Sequence, residues 1–135
     1  MRSRGVFVSV ATAGLIAAPP FAHGIVSSVA GARAECTITG SAADDTLYGM
    51  TRDDVICSKA GSDTVYGDEG DDNIRLGQSH DSGYGGEGSD GVKGQDDDDF
   101  VKTHDNVSNN DNADGGPNTD TCWIDSGDVA TACEA

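Results

Sequence analysis

This 135-residue chain is short of positive charge: 8 Lys and Arg stand against 24 Asp and Glu, for a formal net charge of −16. A surface that negative argues against nucleic acid and anionic membranes as partners and suits inorganic cations. Glutamate is scarce too, limited to Glu35, Glu69, Glu87 and Glu134, so the acidity is almost entirely aspartate. Solubility alone gives no reason to avoid glutamate, whereas tight turns and compact metal loops favour the shorter side chain. There is no long hydrophobic run. The apolar stretch from Gly5 to Ala18 is broken by Pro19-Pro20 and is too short for a comfortable transmembrane helix. C-x-x-C spacing is missing, which argues against a zinc site. No nucleophile, base and orienting residue form a recognisable set, so the chain does not read as an enzyme.

What is present starts with a basic N-terminus, Arg2 and Arg4, followed by the broken apolar stretch and the small-x-small sequence Ala32-Arg33-Ala34. Together these read as a secretory signal over residues 1–34, with a secreted product that does not insert in a membrane after cleavage. All four cysteines, Cys36, Cys57, Cys122 and Cys133, lie beyond that point. An even number in an exported chain implies disulfides. Three pairings are possible, and clustering favours Cys36 with Cys57 and Cys122 with Cys133.

A nine-residue period then runs along the chain. It falls on Asp45, Asp54, Asp63, Asp72, Asp81, Asp90 and Asp99, and two residues later on Leu47, Ile56, Val65, Ile74, Gly83, Val92 and Val101. Five residues before each aspartate it meets Gly40, Gly49, Ser58, Gly67, Leu76, Gly85 and Gly94. Seven units tile residues 40–102 within a domain of 35–102. Residues 103–114 have the Asn- and Asp-rich composition of a loop. Residues 115–135 hold a degenerate repeat, 115–123, shifted by three, and a disulfide-closed cap. In each unit the glycines permit a tight turn, the aspartate ends it, and the next three residues form a very short strand whose middle side chain faces inward. Two units make one flattened coil, which buries its aliphatic column only by stacking on the next coil. Cys36-Thr37-Ile38-Thr39 would be the opening strand, and Cys57 would stack over Thr39. Cys122 falls in the aliphatic column, and Trp123 is expected to cover the far cap. Tyr48, Tyr66 and Tyr84, each two units from the next, should form a ladder on one face. His80 and His104 read as solvated turn residues.

These repeats, above all Gly85-Gly86-Glu87-Gly88-Ser89-Asp90 and Gly67-Asp68-Glu69-Gly70-Asp71-Asp72, resemble the repeats-in-toxin, or haemolysin-type, calcium-binding nonapeptide family; the finer likeness is to its small secreted actinobacterial-type members. The resemblance implies an all-β, right-handed parallel β-roll with disulfide-tied ends. It also implies calcium between directly stacked turns, two units apart, held by the seven turn aspartates and by backbone carbonyls near Gly67, Gly70, Gly85, Gly86 and Gly88. Asp45, Asp63, Asp81 and Asp99 would share one edge and Asp54, Asp72 and Asp90 the other, giving up to five ions. Departures at Ala43, Arg52, Leu76, Ser79, Gly83 and Asp97 rank the Asp72/Asp90 site first and Asp81/Asp99 last. The expected function is a secreted calcium-binding protein that folds around its ions. The alternatives are a calcium-rigidified cell-surface or matrix module with an unspecified protein partner, or a disordered acidic calcium buffer.

Overall fold

The computed structural model describes residues 35–134, so the expected signal segment 1–34 and the expected cleavage point lie outside the described residues. Eleven strands follow one another: β1 Ile38–Thr39, β2 Thr46–Met50, β3 Val55–Ala60, β4 Thr64–Glu69, β5 Asn73–Gln78, β6 Ser82–Glu87, β7 Gly91–Gln95, β8 Phe100–Lys102, β9 Asn112–Asp114, β10 Thr121–Trp123 and β11 Val129–Thr131. Among the described residues there is no helix.

Successive strands alternate between two parallel sheets, ordered β1-β3-β5-β7-β9-β11 and β10-β8-β6-β4-β2. Each strand pairs with the one two ahead, as a coil of two units requires: Leu47 lies beside Val65, Ile56 beside Ile74, and Tyr48 beside Tyr66. The result is a β-solenoid of about five turns. Strands β3 to β6 have six residues each, longer than the three expected. Pairing continues into the turn, where Lys59 meets Gly77 and Asp68 meets Gly86. The glycine that opens the turn makes this possible. A Cβ on Gly67 would collide with the carbonyl oxygen of Gly85 in the next coil and with the carboxylate of Asp72 in its own.

The core is two columns, one from each sheet: Leu47, Val65 and Val101 on one, and Ile56, Ile74, Val92 and Ala113 on the other, with Leu76 of β5 added to the cluster. Burying each large aliphatic among them contributes about 1.5–3 kcal/mol. Two apparent defects of the repeat turn out to be one packing unit. Leu76, in place of a turn glycine, is fully buried. Gly83, in place of an aliphatic, would carry a Cβ only 3.0 Å from Leu76 Cδ1 and 2.8 Å from Val92 Cγ1. The leucine on one sheet therefore fills the space that the glycine leaves on the other.

The segment 103–114 is not loop throughout, because its last three residues are β9. Beyond it the pairing register lengthens: Val92 pairs with Ala113 and Val101 with Cys122. Three inserted residues are absorbed in the turn, and the coil resumes. Disulfides join Cys36 to Cys57 and Cys122 to Cys133, with Cα–Cα distances of 5.8 and 5.6 Å. Cys122 packs against the core from its edge. Trp123 does not cover the cap: it is 59% exposed and meets Phe100 edge-on. Its position in β10 places it on the outward side of the sheet. There it extends the stacked ladder of Tyr48, Tyr66 and Tyr84, whose rings lie 5.1 and 4.9 Å apart.

Candidate metal centre

The turn between strands has a repeated backbone. Its second and fourth residues take left-handed φ, as in Gly86 (119°) and Gly88 (137°). Gln95 (84°) with Asp97 (77°), and Gly77 (124°) with Ser79 (81°), adopt the same pair of conformations without two glycines. The turns carrying Asp81 and Asp99 thus keep the geometry that their sequence departures put in question. The earliest turns are the ones that depart, since Ala43 and Arg52 are not left-handed.

This backbone delivers the sixth residue, aspartate, into the interior of the roll. Its Oδ1 accepts the backbone N–H of the aspartate one coil earlier: Asp63 from Asp45 at 2.7 Å, Asp72 from Asp54 at 2.8 Å, Asp81 from Asp63 at 2.7 Å, Asp90 from Asp72 at 2.9 Å and Asp99 from Asp81 at 2.8 Å. The columns continue past the seven periodic units. Asp111 accepts from Asp90 at 2.7 Å and Asp120 from Asp99 at 2.8 Å. Each column ends in a carboxylate from the C-terminal tail: Asp120 N–H donates to Glu134 at 2.6 Å, and Asp111 N–H to Asp128 at 3.4 Å. Outside these columns, the fifth residue of several turns braces the stack in the opposite sense: Asp53 accepts from Asp71 N–H at 3.0 Å, and Asp71 from Ser89 N–H at 2.9 Å.

The other carboxylate oxygen carries the chemistry. Oδ2 of Asp63, Asp72, Asp81, Asp90, Asp99, Asp111 and Asp120 is buried and has no hydrogen-bond partner. These residues are only 0–4% exposed. Buried carboxylate oxygens without partners are costly. Burial, partly offset by the N–H bond to Oδ1 and reinforced by neighbouring carboxylates, pushes Asp72, Asp81 and Asp111 up to about 6 and Asp90 and Asp99 up to about 7. Asp63 and Asp120 are raised by the same cause. Among the described residues the ion pairs are Lys93–Asp114, His80–Asp98 and His104–Asp125, none of which touches a column.

Of the seven aspartates expected as ligands, five therefore present such an oxygen and two do not. Asp45 Oδ2 accepts from Ser41 N–H at 2.6 Å and from the Ser41 hydroxyl at 2.8 Å. Asp54 Oδ1 accepts from the Thr37 hydroxyl at 2.8 Å. Asp111 and Asp120 escape a reading of the period because the insertion breaks it. They are nonetheless one repeat apart, with Ala113 and Cys122 two positions on, which is the signal that could have found them.

No group of three or more His, Cys, Asp or Glu side chains converges to hold a metal among the described residues. A cation here would rely on main-chain carbonyls. Those of Gly70 and Gly85 lie hard against the glycines of the neighbouring coil, Gly88 and Gly67. Oxygen-only donors, uncompensated negative charge and a turn too tight for a Cβ fit a hard divalent cation.

The family model for the RTX calcium-binding nonapeptide repeat matches three overlapping stretches, residues 39–74, 48–83 and 58–92. Residues 39–92 belong to the RTX family. No curated protein and no solved structure matches the chain. The RTX match takes in Asp45 to Asp90, while Asp99, Asp111 and Asp120 extend the same columns beyond it. RTX repeats bind calcium and are typically structural rather than catalytic.

Proposed function

We propose that this is a secreted calcium-binding protein whose roll is completed by Ca2+ between stacked turns. The reading rests on one observation: seven buried, partnerless Oδ2 atoms arranged in two columns. Bound calcium would supply the positive charge that nothing else in the columns provides. The chain's own part is to hold each carboxylate by Oδ1, exclude water, and offer Oδ2 with turn carbonyls. Five gaps were expected from the sequence. Losing Asp45/Asp63 and Asp54/Asp72 as full sites leaves three of them, and Asp99/Asp120, whose turn has the regular left-handed pair at Gly116 (109°) and Asn118 (95°), adds a fourth. Because the unfolded chain lacks these columns, binding energy becomes folding energy. Export is supported by the basic-apolar N-terminal sequence and by two disulfides.

The test is calcium titration of the chain by calorimetry beside circular dichroism. Calcium should raise β content cooperatively and chelator should reverse it; equal β content in calcium and in EDTA would sink the reading. A second role, as a calcium-rigidified platform, is favoured by the outward aromatic ladder ending at exposed Tyr48 and Trp123. An acidic buffer without structure is disfavoured, since a solvated coil does not bury carboxylates.

A further inference from the structure

The widened turn 103–111 lies outside the RTX match and has the composition of a loop. It leaves three oxygens of its own buried and without partners: Thr103 Oγ1, Asn110 Oδ1 and Asp111 Oδ2. Thr103 and Asp111 are 1% and 3% exposed. Thr103 follows Val101 by two residues, so it takes the position of the turn-opening glycine. In regular turns that position faces the turn's own carboxylate, as Gly85 faces Asp90 and Gly115 faces Asp120.

We propose that this turn is a differently built site for a hard divalent cation at the Asp111 end of its column, using side chains where the repeats use glycine carbonyls. Its donors are the Asp111 and Asp105 carboxylates, the Asn110 amide oxygen and the Thr103 hydroxyl. Asp105 Oδ2 accepts from the Asn110 Nδ2 amide at 3.4 Å and its Oδ1 from Val107 N–H at 2.7 Å, which holds this carboxylate beside the turn. The Asn110 amide is oriented by donating to the Gly88 carbonyl, which leaves its oxygen free. Asp125 and Asp128 are positioning residues. Asp125 accepts from Asp105 N–H and Asn106 N–H at 2.9 and 2.7 Å, and Asp128 from Asn110 N–H at 3.1 Å. A neutral water in this place would leave two carboxylates uncompensated, whereas a cation neutralises both. The inserted residues thus convert a break in the repeat into a ligand set.

This inference rests on the calcium reading above, and native mass spectrometry of the full, disulfide-intact chain in calcium separates the two. The double variant Thr103→Val/Asp105→Asn should hold one ion fewer than the wild type, with β content unchanged. Asn110→Ala, which leaves both carboxylates in place, should show the same loss if the double variant does not fold. An unchanged count in folded variants means that the turn holds water, and overturns the inference while leaving the repeat sites standing. A wild-type chain that binds no ion overturns both.

Discussion

Replacing Asp90 by asparagine should act with opposite signs in the two states of the roll. The amide keeps an oxygen to accept Asp72 N–H, a bond of 2.9 Å in the wild type, and removes the charge. The Asp90 carboxyl is pushed up to about 7 from an ordinary 3.8, by burial first and then by Asp72, Asp111 and Asp105. At roughly 1.4 kcal/mol per pKa unit the full shift corresponds to about 4 kcal/mol above pH 8. Water entry and relaxation around a metal-free turn leave on the order of 1–2 kcal/mol of that. In EDTA at pH 8, Asp90→Asn should therefore raise the folded-to-unfolded ratio by about 5- to 30-fold, read by circular dichroism against urea. In calcium it should weaken binding by at least about tenfold at the affected site, because ligand charge sets affinity. Below about pH 4, where Asp90 is protonated in the folded and the unfolded chain alike, the gain in EDTA should vanish. A variant that is less stable than wild type in EDTA at pH 8, or that binds calcium as well as wild type, refutes the reasoning.

The pH dependence of the metal-free roll follows from the same groups. Their folded values are raised, so the stability they allow is fully present below about 4 and is lost as pH rises through 6 to 7. Acidifying from pH 8 to 5 in EDTA should raise β content, while calcium affinity falls over the same window; β content that is flat or falling in EDTA contradicts this. Leu76→Ala should cost about 2–5 kcal/mol by opening a cavity, and adding Gly83→Val should recover part of it. Urea melts of the two single variants and the double give the coupling, and a strictly additive double variant would separate the pair. Removing the Cys36–Cys57 bridge with a double serine variant should cost about 3 kcal/mol for a sequence separation of 21, seen as a lower urea midpoint at unchanged slope.

Most of the fold was legible because one spacing governs it. A period of nine with two units per coil dictates both sheets, their parallel register and the two columns. What the spacing could not show depends on contacts between residues that no period relates. Leu76 and Gly83 look like two lapses along the chain, and their mutual packing exists only across the two sheets. Asp111 and Asp120 were hidden by three inserted residues and by Ala113, too small to mark an aliphatic column. The first two aspartates match the rule in sequence and differ in structure, because hydroxyls of Ser41 and Thr37 reach them at the open end of the stack.

That end effect implies a gradient along the roll. In a solenoid each coil leans on its neighbours, so local stability need not be uniform. At the N-terminal end, Asp45 and Asp54 are only half-buried, each accepts from a hydroxyl, and the Cys36–Cys57 bridge ties β1 to β3. None of this needs a cation. Farther along, from Asp63 to Asp120, every column carboxylate leaves one oxygen stranded, and the tail supplies further carboxylates, Asp128 and Glu134, instead of a cation. Chelation should therefore open the roll from the middle and C-terminal coils, with the Cys122–Cys133 bridge holding only the last strands together. Hydrogen exchange in EDTA should keep β3 amides protected after those of β5 to β8 have exchanged, and calcium should slow β5 to β8 the most. Uniform loss of protection along all the strands would show instead that the coils unfold as one unit, with the hydroxyl-capped end no more independent of metal than the rest.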